Sequence, residues 1–104
     1  FYSGQLNPAY GMENLLASLK VDLGIMGTTA YDARLGQYLA AAVKAIQREG
    51  AQTIDPDVAE DAHLIVMYAA WTWRKRDSME GMPRMLRWQL NNRIMSEKAG
   101  AADD

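Results

Sequence analysis

Very few residues in this chain have the types that chemistry needs. There is no cysteine to act as nucleophile, thiolate ligand or disulfide partner, and there is one histidine, His63. A serine nucleophile requires a histidine base and an acid that orients it. Ser3, Ser18, Ser78 and Ser96 lie scattered around His63 without that pattern. Gly24 and Gly27 are not followed by the lysine and hydroxyl of a phosphate loop. Asp55, Asp57, Glu60 and Asp61 stand close together, and clustered carboxylate oxygens can hold a hard cation. The same acids are what the positive end of a helix dipole attracts. Asp55-Pro56 is itself a helix-start pair, an N-cap followed by proline at the first helical position. The residues therefore point away from an enzyme, with no catalytic group, no metal and no cofactor expected.

Phosphate recognition is the competing chemistry. Arg74, Lys75 and Arg76 are consecutive, Arg84, Arg87 and Arg93 follow, and Asn91 and Asn92 have the amide groups that read base edges. The two helices flanking residues 77–82 would then form a helix–turn–helix. That loop is long for the motif, the chain is acidic overall at −2, and Trp88 and the nearby methionines suit a protein contact better.

The elements that position these residues read as four helices, without an alternating strand pattern. Glu13 to Asp22 forms a short helix with Leu15, Leu16, Leu19 and Leu23 on helical spacing, stopped by Gly24. Thr28 or Thr29 caps the second, where Leu35, Tyr38, Leu39, Ala42, Val43 and Ile46 make one continuous stripe and Gly50 ends it. The third begins at Asp55-Pro56 and runs through LIVMYAAWTWRKR, Leu64 to Arg76. From Leu64 to Trp73 that stretch carries no charge. It is apolar on all sides, so it must be buried on all sides, and it is too short for the roughly 20 residues of a membrane span. Pro83 starts the fourth helix, with Leu86, Leu90 and Ile94 on one face and Met82, Met85, Trp88 and Met95 on another. The expected fold is all-α, about four helices packed around a central apolar third helix. Residues 1–11 read as an extended arm or vector-derived segment, 12–98 as the helical domain and 99–104 as a flexible acidic tail. No secretory signal is visible, which favours a soluble intracellular protein.

Charge is segregated along the chain. Up to Trp73 the balance is −4; from Arg74 to Lys98 it is +4; Asp103 and Asp104 add two more negative charges. Such an asymmetry suits association in which one end of a subunit meets the other. The two apolar faces of the fourth helix suit it too, one packing internally and the other meeting a neighbour.

The segment MYAAWTWRKRDSMEGMPRMLRWQLNNR, Met67 to Arg93, resembles the head–tail connector (adaptor) proteins of long-tailed bacteriophages and prophages. LLASLKVDLGI, AYDARLGQYLAAAVKAIQREG and the acidic turn before the third helix fit the same pattern, so the resemblance spans roughly Met12 to Lys98. It implies a small α-helical structural protein of the virion head–tail junction, held in the host cytoplasm before assembly. It further implies a ring of about twelve subunits, closed by head-to-tail contacts. The ring would dock on the portal protein and meet the next connector or tail protein, and DNA would pass through it without specific binding. No membrane is involved. The self-contact is expected at Trp71, Trp73, Met85, Trp88 and Met95. Arg74, Arg76, Arg84 and Arg87 would meet an acidic counter-patch of Asp55, Asp57, Glu60 and Asp61 on the neighbour. The alternative is a small helical DNA-binding or packaging-associated protein.

Overall fold

The computed structural model describes the backbone of residues 8–103 and the side chains of residues 14–100 other than Asp77. Four helices follow one another: α1, Pro8–Leu23; α2, Asp32–Glu49; α3, Ala59–Arg74; and α4, Arg84–Asp103. A single 3₁₀ turn, Lys75–Asp77, extends α3. The fold is all-α.

The core draws one stripe each from α1, α2 and α4, a much wider arc of α3, and Ala51 and Ile54 from the α2–α3 loop. Leu15 and Leu19 of α1 meet Leu35, Leu39, Ala42 and Ile46 of α2. Leu64, Ile65, Val66, Ala69, Ala70 and Trp73 come from α3, and Leu86 and Leu90 from α4. Each fully buried leucine or isoleucine contributes about 1.5–3 kcal/mol relative to exposure. The α2 stripe is buried at Leu35, Leu39, Ala42 and Ile46, with Tyr38 and Val43 half-buried at its edges. Helix α3 packs against α1, α2 and α4. The Cα atoms span 17 Å along the shortest axis, room for two layers of helices whose axes lie about 8–10 Å apart.

Several boundaries differ from the expectation, each for a local reason. Helix α1 begins at Pro8 rather than Glu13, proline being well suited to a first helical position. The arm reading for residues 1–7 lies outside the described residues. Helix α4 continues to Asp103, where the sequence suggested a flexible tail from residue 99; Ala99, Ala101 and Ala102 are strong helix formers. Asp55-Pro56 does not open α3. Asp55 Oδ1 accepts the Asp57 N–H at 2.9 Å and its carbonyl accepts the Val58 N–H, so residues 55–58 close a turn with proline at its second position. Helix α3 starts afterwards, at Ala59, with Val58 as N-cap and no side-chain cap. Neither Thr28 nor Thr29 caps α2: Thr28 Oγ1 accepts the Ala30 N–H, and Tyr31 is the N-cap. Asp32 instead pairs with Lys20 of α1 at 2.8 Å.

Gly50 ends α2 with φ at +134°. The N–H of Ala51 returns to the Ile46 carbonyl, satisfying an end-of-helix acceptor. A Cβ at Gly50 would lie 3.0 Å from Ile94 Cγ2, so this position also sets how closely α4 approaches.

Candidate interaction surface

Helix α4 divides its residues between two opposite faces. Leu86 and Leu90 are buried and Ile94 packs beside them. On the other side Met85, Trp88 and Met95 are exposed by 58, 60 and 65%. Trp88 and Met95 are seven residues apart, two turns on the same stripe. Met85, Trp88 and Met95 thus form an exposed apolar stripe on that face. Arg84 precedes them, exposed and without a hydrogen-bond or ion-pair partner among the described residues.

The other residues expected at a subunit contact are engaged within the chain. Trp73 is 8% exposed. Tyr31 and Tyr38 meet its ring edge-on at 5.8 and 5.3 Å, and the Arg76 guanidinium covers it at 4.0 Å. Trp73 is thus a core residue, and Arg76 is its lid. Trp71 is half-buried: Tyr68 packs edge-on at 5.4 Å, Lys75 lies over the ring, and its indole N–H donates to the Gly81 carbonyl at 3.1 Å. That bond ties the α3–α4 loop to the end of α3. Tyr68 sits deep enough that burial, seconded by the charge of Glu49, raises its hydroxyl pKa. Arg74 reaches Asp22 at the end of α1, contacting both its carbonyl and its carboxylate. Arg87 pairs with Glu49 at 3.2 Å.

The acidic counter-patch also divides. Asp55, Asp57 and Glu60 are exposed, whereas Asp61 is 5% exposed and belongs to an internal network. Arg93 holds Asp61 Oδ1 at 2.8 Å and Glu97 Oε1 at 3.3 Å, and donates to Thr53 Oγ1. Asp61 Oδ2 accepts the Asp55 N–H at 3.0 Å. Glu97 accepts the Gln52 and Thr53 N–H groups and the Thr53 hydroxyl. The Thr53 N–H is the largest influence lowering the Glu97 pKa below its ordinary value. The hydrogen bond to Asp61 is the main influence raising that of Arg93. This clamp, which joins α4 to the α2–α3 loop and the first turn of α3, was not among the expected sites. The Arg93–Glu97 spacing of four residues is its one sequence signal.

Beside the clamp lies an open groove of about 800 Å³ between the start of α3 and the middle of α4. Asp55, Glu60 and His63 line one wall; Gln89, Asn92 and Ser96 line the other. Among the described residues no three His, Asp or Glu side chains are grouped to hold a metal ion. No described helix is long and apolar enough to cross a membrane. Comparison of the chain with protein-family models, with curated proteins and with solved structures gives no match.

Proposed function

We propose that the chain is a structural, non-enzymatic subunit of a bacteriophage head–tail connector. In this reading copies assemble into a ring, of about twelve subunits in the family it resembles, through head-to-tail contacts. The ring docks on the portal and joins the DNA-filled head to the next connector or tail protein, with the virion junction as its final location. The resemblance of Met67–Arg93 to connector proteins names the assembly. The observation that carries self-association is the second face of α4, where Met85, Trp88 and Met95 stand exposed opposite Leu86 and Leu90. Aromatic and methionine side chains are enriched at subunit contacts because they bury large areas and adapt their shape.

The engagement of Arg74, Arg87 and Arg93 with Asp22, Glu49 and Asp61 favours this reading over a DNA-binding one. Three of the cations that would contact phosphates are already neutralised within the fold. DNA then passes the ring without specific binding.

Negative-stain imaging and light scattering of the protein alone and mixed with portal test the proposal. Rings alone, or rings capping the portal, are expected. A protein that stays monomeric in both conditions overturns it. Duplex binding at low salt that falls steeply as salt is added would favour the DNA-binding alternative.

A further inference from the structure

The outer face of α2 carries a second feature. Arg34, Gln37, Ala41, Lys44 and Arg48 fall on one stripe at helical spacing, opposite Leu35, Leu39, Ala42 and Ile46, and all five are exposed. The stripe extends roughly 21 Å along the helix axis. Neither Arg34, Lys44 nor Arg48 has a hydrogen-bond or ion-pair partner among the described residues. The two acids of α2 cannot neutralise them, since Asp32 is taken up by Lys20 and Glu49 by Arg87. Between the cations the surface is slim: Ala33, Ala40 and Ala41 are exposed and end at Cβ.

The groove beside α4 has the opposite character. Arg93 cancels Asp61, so Asp55 and Glu60 leave the groove negative, and exposed Asp57 adds to them. Its α4 wall is continuous with the apolar stripe. Trp88, Asn92 and Met95 are neighbours at helical spacing, and Asn92 lines the groove. One side of the molecule thus presents a shallow acidic channel edged by Trp88 and Met95. Another presents a slim cationic ridge.

We infer that the α2 ridge of one subunit seats in the α3–α4 groove of the next, with Arg34, Lys44 and Arg48 facing Asp55, Asp57 and Glu60, and with Trp88 and Met95 against Ala40 and Ala41. This rests on the self-assembly proposed above and names its second half: the partner of the α4 stripe is a second copy, met through α2. The two patches are different, as a head-to-tail contact requires. Charge complementarity fixes the pairing, and the small residues allow the close approach that buries the indole. An arginine seated there also meets the face of the exposed Trp88 ring.

Two charge-reversed variants test the pairing: Arg34→Glu/Lys44→Glu/Arg48→Glu, and Asp57→Lys/Glu60→Lys. Every substituted residue is exposed and none contributes to the core, and circular dichroism checks that each variant is folded. Assembly, alone and on portal, is read by analytical ultracentrifugation. Each variant alone should weaken assembly by roughly tenfold or more, and a mixture of the two should recover it, because each then supplies the sign the other needs. A wild-type protein that never assembles overturns the connector reading and this inference together. Wild-type assembly with both variants unimpaired, or loss in each without recovery in the mixture, overturns the pairing alone. So does duplex DNA binding that the α2 reversal abolishes while assembly is unchanged, an outcome that would assign the ridge to phosphates.

Discussion

Arg93 of α4 holds the buried carboxylate of Asp61, in the first turn of α3, at 2.8 Å. The pair is separated by thirty-two residues in sequence and fixes where the two helices meet. Asp61 is at once the acceptor for Arg93 and for the Asp55 N–H, so its loss takes from Arg93 its closest acceptor, leaving Glu97 and the Thr53 hydroxyl, and strands the Asp55 donor. Arg93→Ala should destabilise the fold by roughly 3 kcal/mol, the low end for breaking a buried pair, because the Arg93 side chain remains 20% exposed. Asp61→Ala should cost at least as much. The double variant should lose less than the sum of the two, since neither charge is then stranded. Urea denaturation of the three variants measures this, and strict additivity would show that the pair is not coupled.

Glu97 gives the clamp a pH dependence. Its pKa in the folded chain lies below the ordinary 4.5. A carboxylate with a depressed folded pKa contributes stability that is fully present above its unfolded pKa. That contribution is lost as the pH falls through the folded value. The acid limb of the stability curve should therefore steepen below about pH 4.5, the ordinary glutamate range. Glu97→Gln should flatten that limb while lowering the melting temperature at neutral pH. Thermal melts between acid and neutral pH read both effects, and an unchanged acid limb would remove Glu97 from the account.

The helices were legible in the sequence because their signals are local. The α2 stripe and its Gly50 stop lie within one helix, and helical periodicity fixes which of its residues face inward. The opposed faces of α4 were legible for the same reason, except that Met82, expected beside Met85, Trp88 and Met95, precedes the helix and packs against the core. What periodicity does not carry is the choice of partner. Trp71 and Trp73 are two residues apart in the same apolar stretch, and nothing local distinguishes them. Only the positions of Tyr31 and Tyr38 send Trp73 inward, and only the Gly81 carbonyl claims the Trp71 N–H. Among four neighbouring acids, Asp61 alone is withdrawn from the surface, because Arg93 of a distant helix stands opposite it. The start of α3 shifted because Asp55 closed a turn of its own.

Gly50 and Ile94 form a second long-range constraint. Gly50→Ala forces a side chain into a φ of +134° and places its Cβ 3.0 Å from Ile94 Cγ2. A strained backbone position of this kind costs about 1–3 kcal/mol, and the contact adds to it. Ile94→Ala in the same chain should relieve the contact but not the backbone strain. The double variant should therefore be less destabilised than the two single losses predict. Full additivity in chemical denaturation would mean that α4 does not approach Gly50 closely.

The three tryptophans should separate folding from assembly. Trp73→Ala opens a cavity among Tyr31, Tyr38 and the α3 core and should cost about 3–5 kcal/mol. It should lower the melting temperature of the monomer before any assembly is considered. Trp71→Ala should cost less and act mainly on the α3–α4 loop, which its N–H holds at Gly81. Trp88→Ala removes an exposed side chain and should change monomer stability by no more than about 0.5 kcal/mol. Its effect should fall on self-association, because the indole is the largest exposed group on the outer face of α4. Melting curves in parallel with ultracentrifugation distinguish the three variants. If Trp88→Ala lowers the melting temperature of the monomer as much as Trp73→Ala does, the outer face of α4 serves the fold rather than a neighbouring subunit.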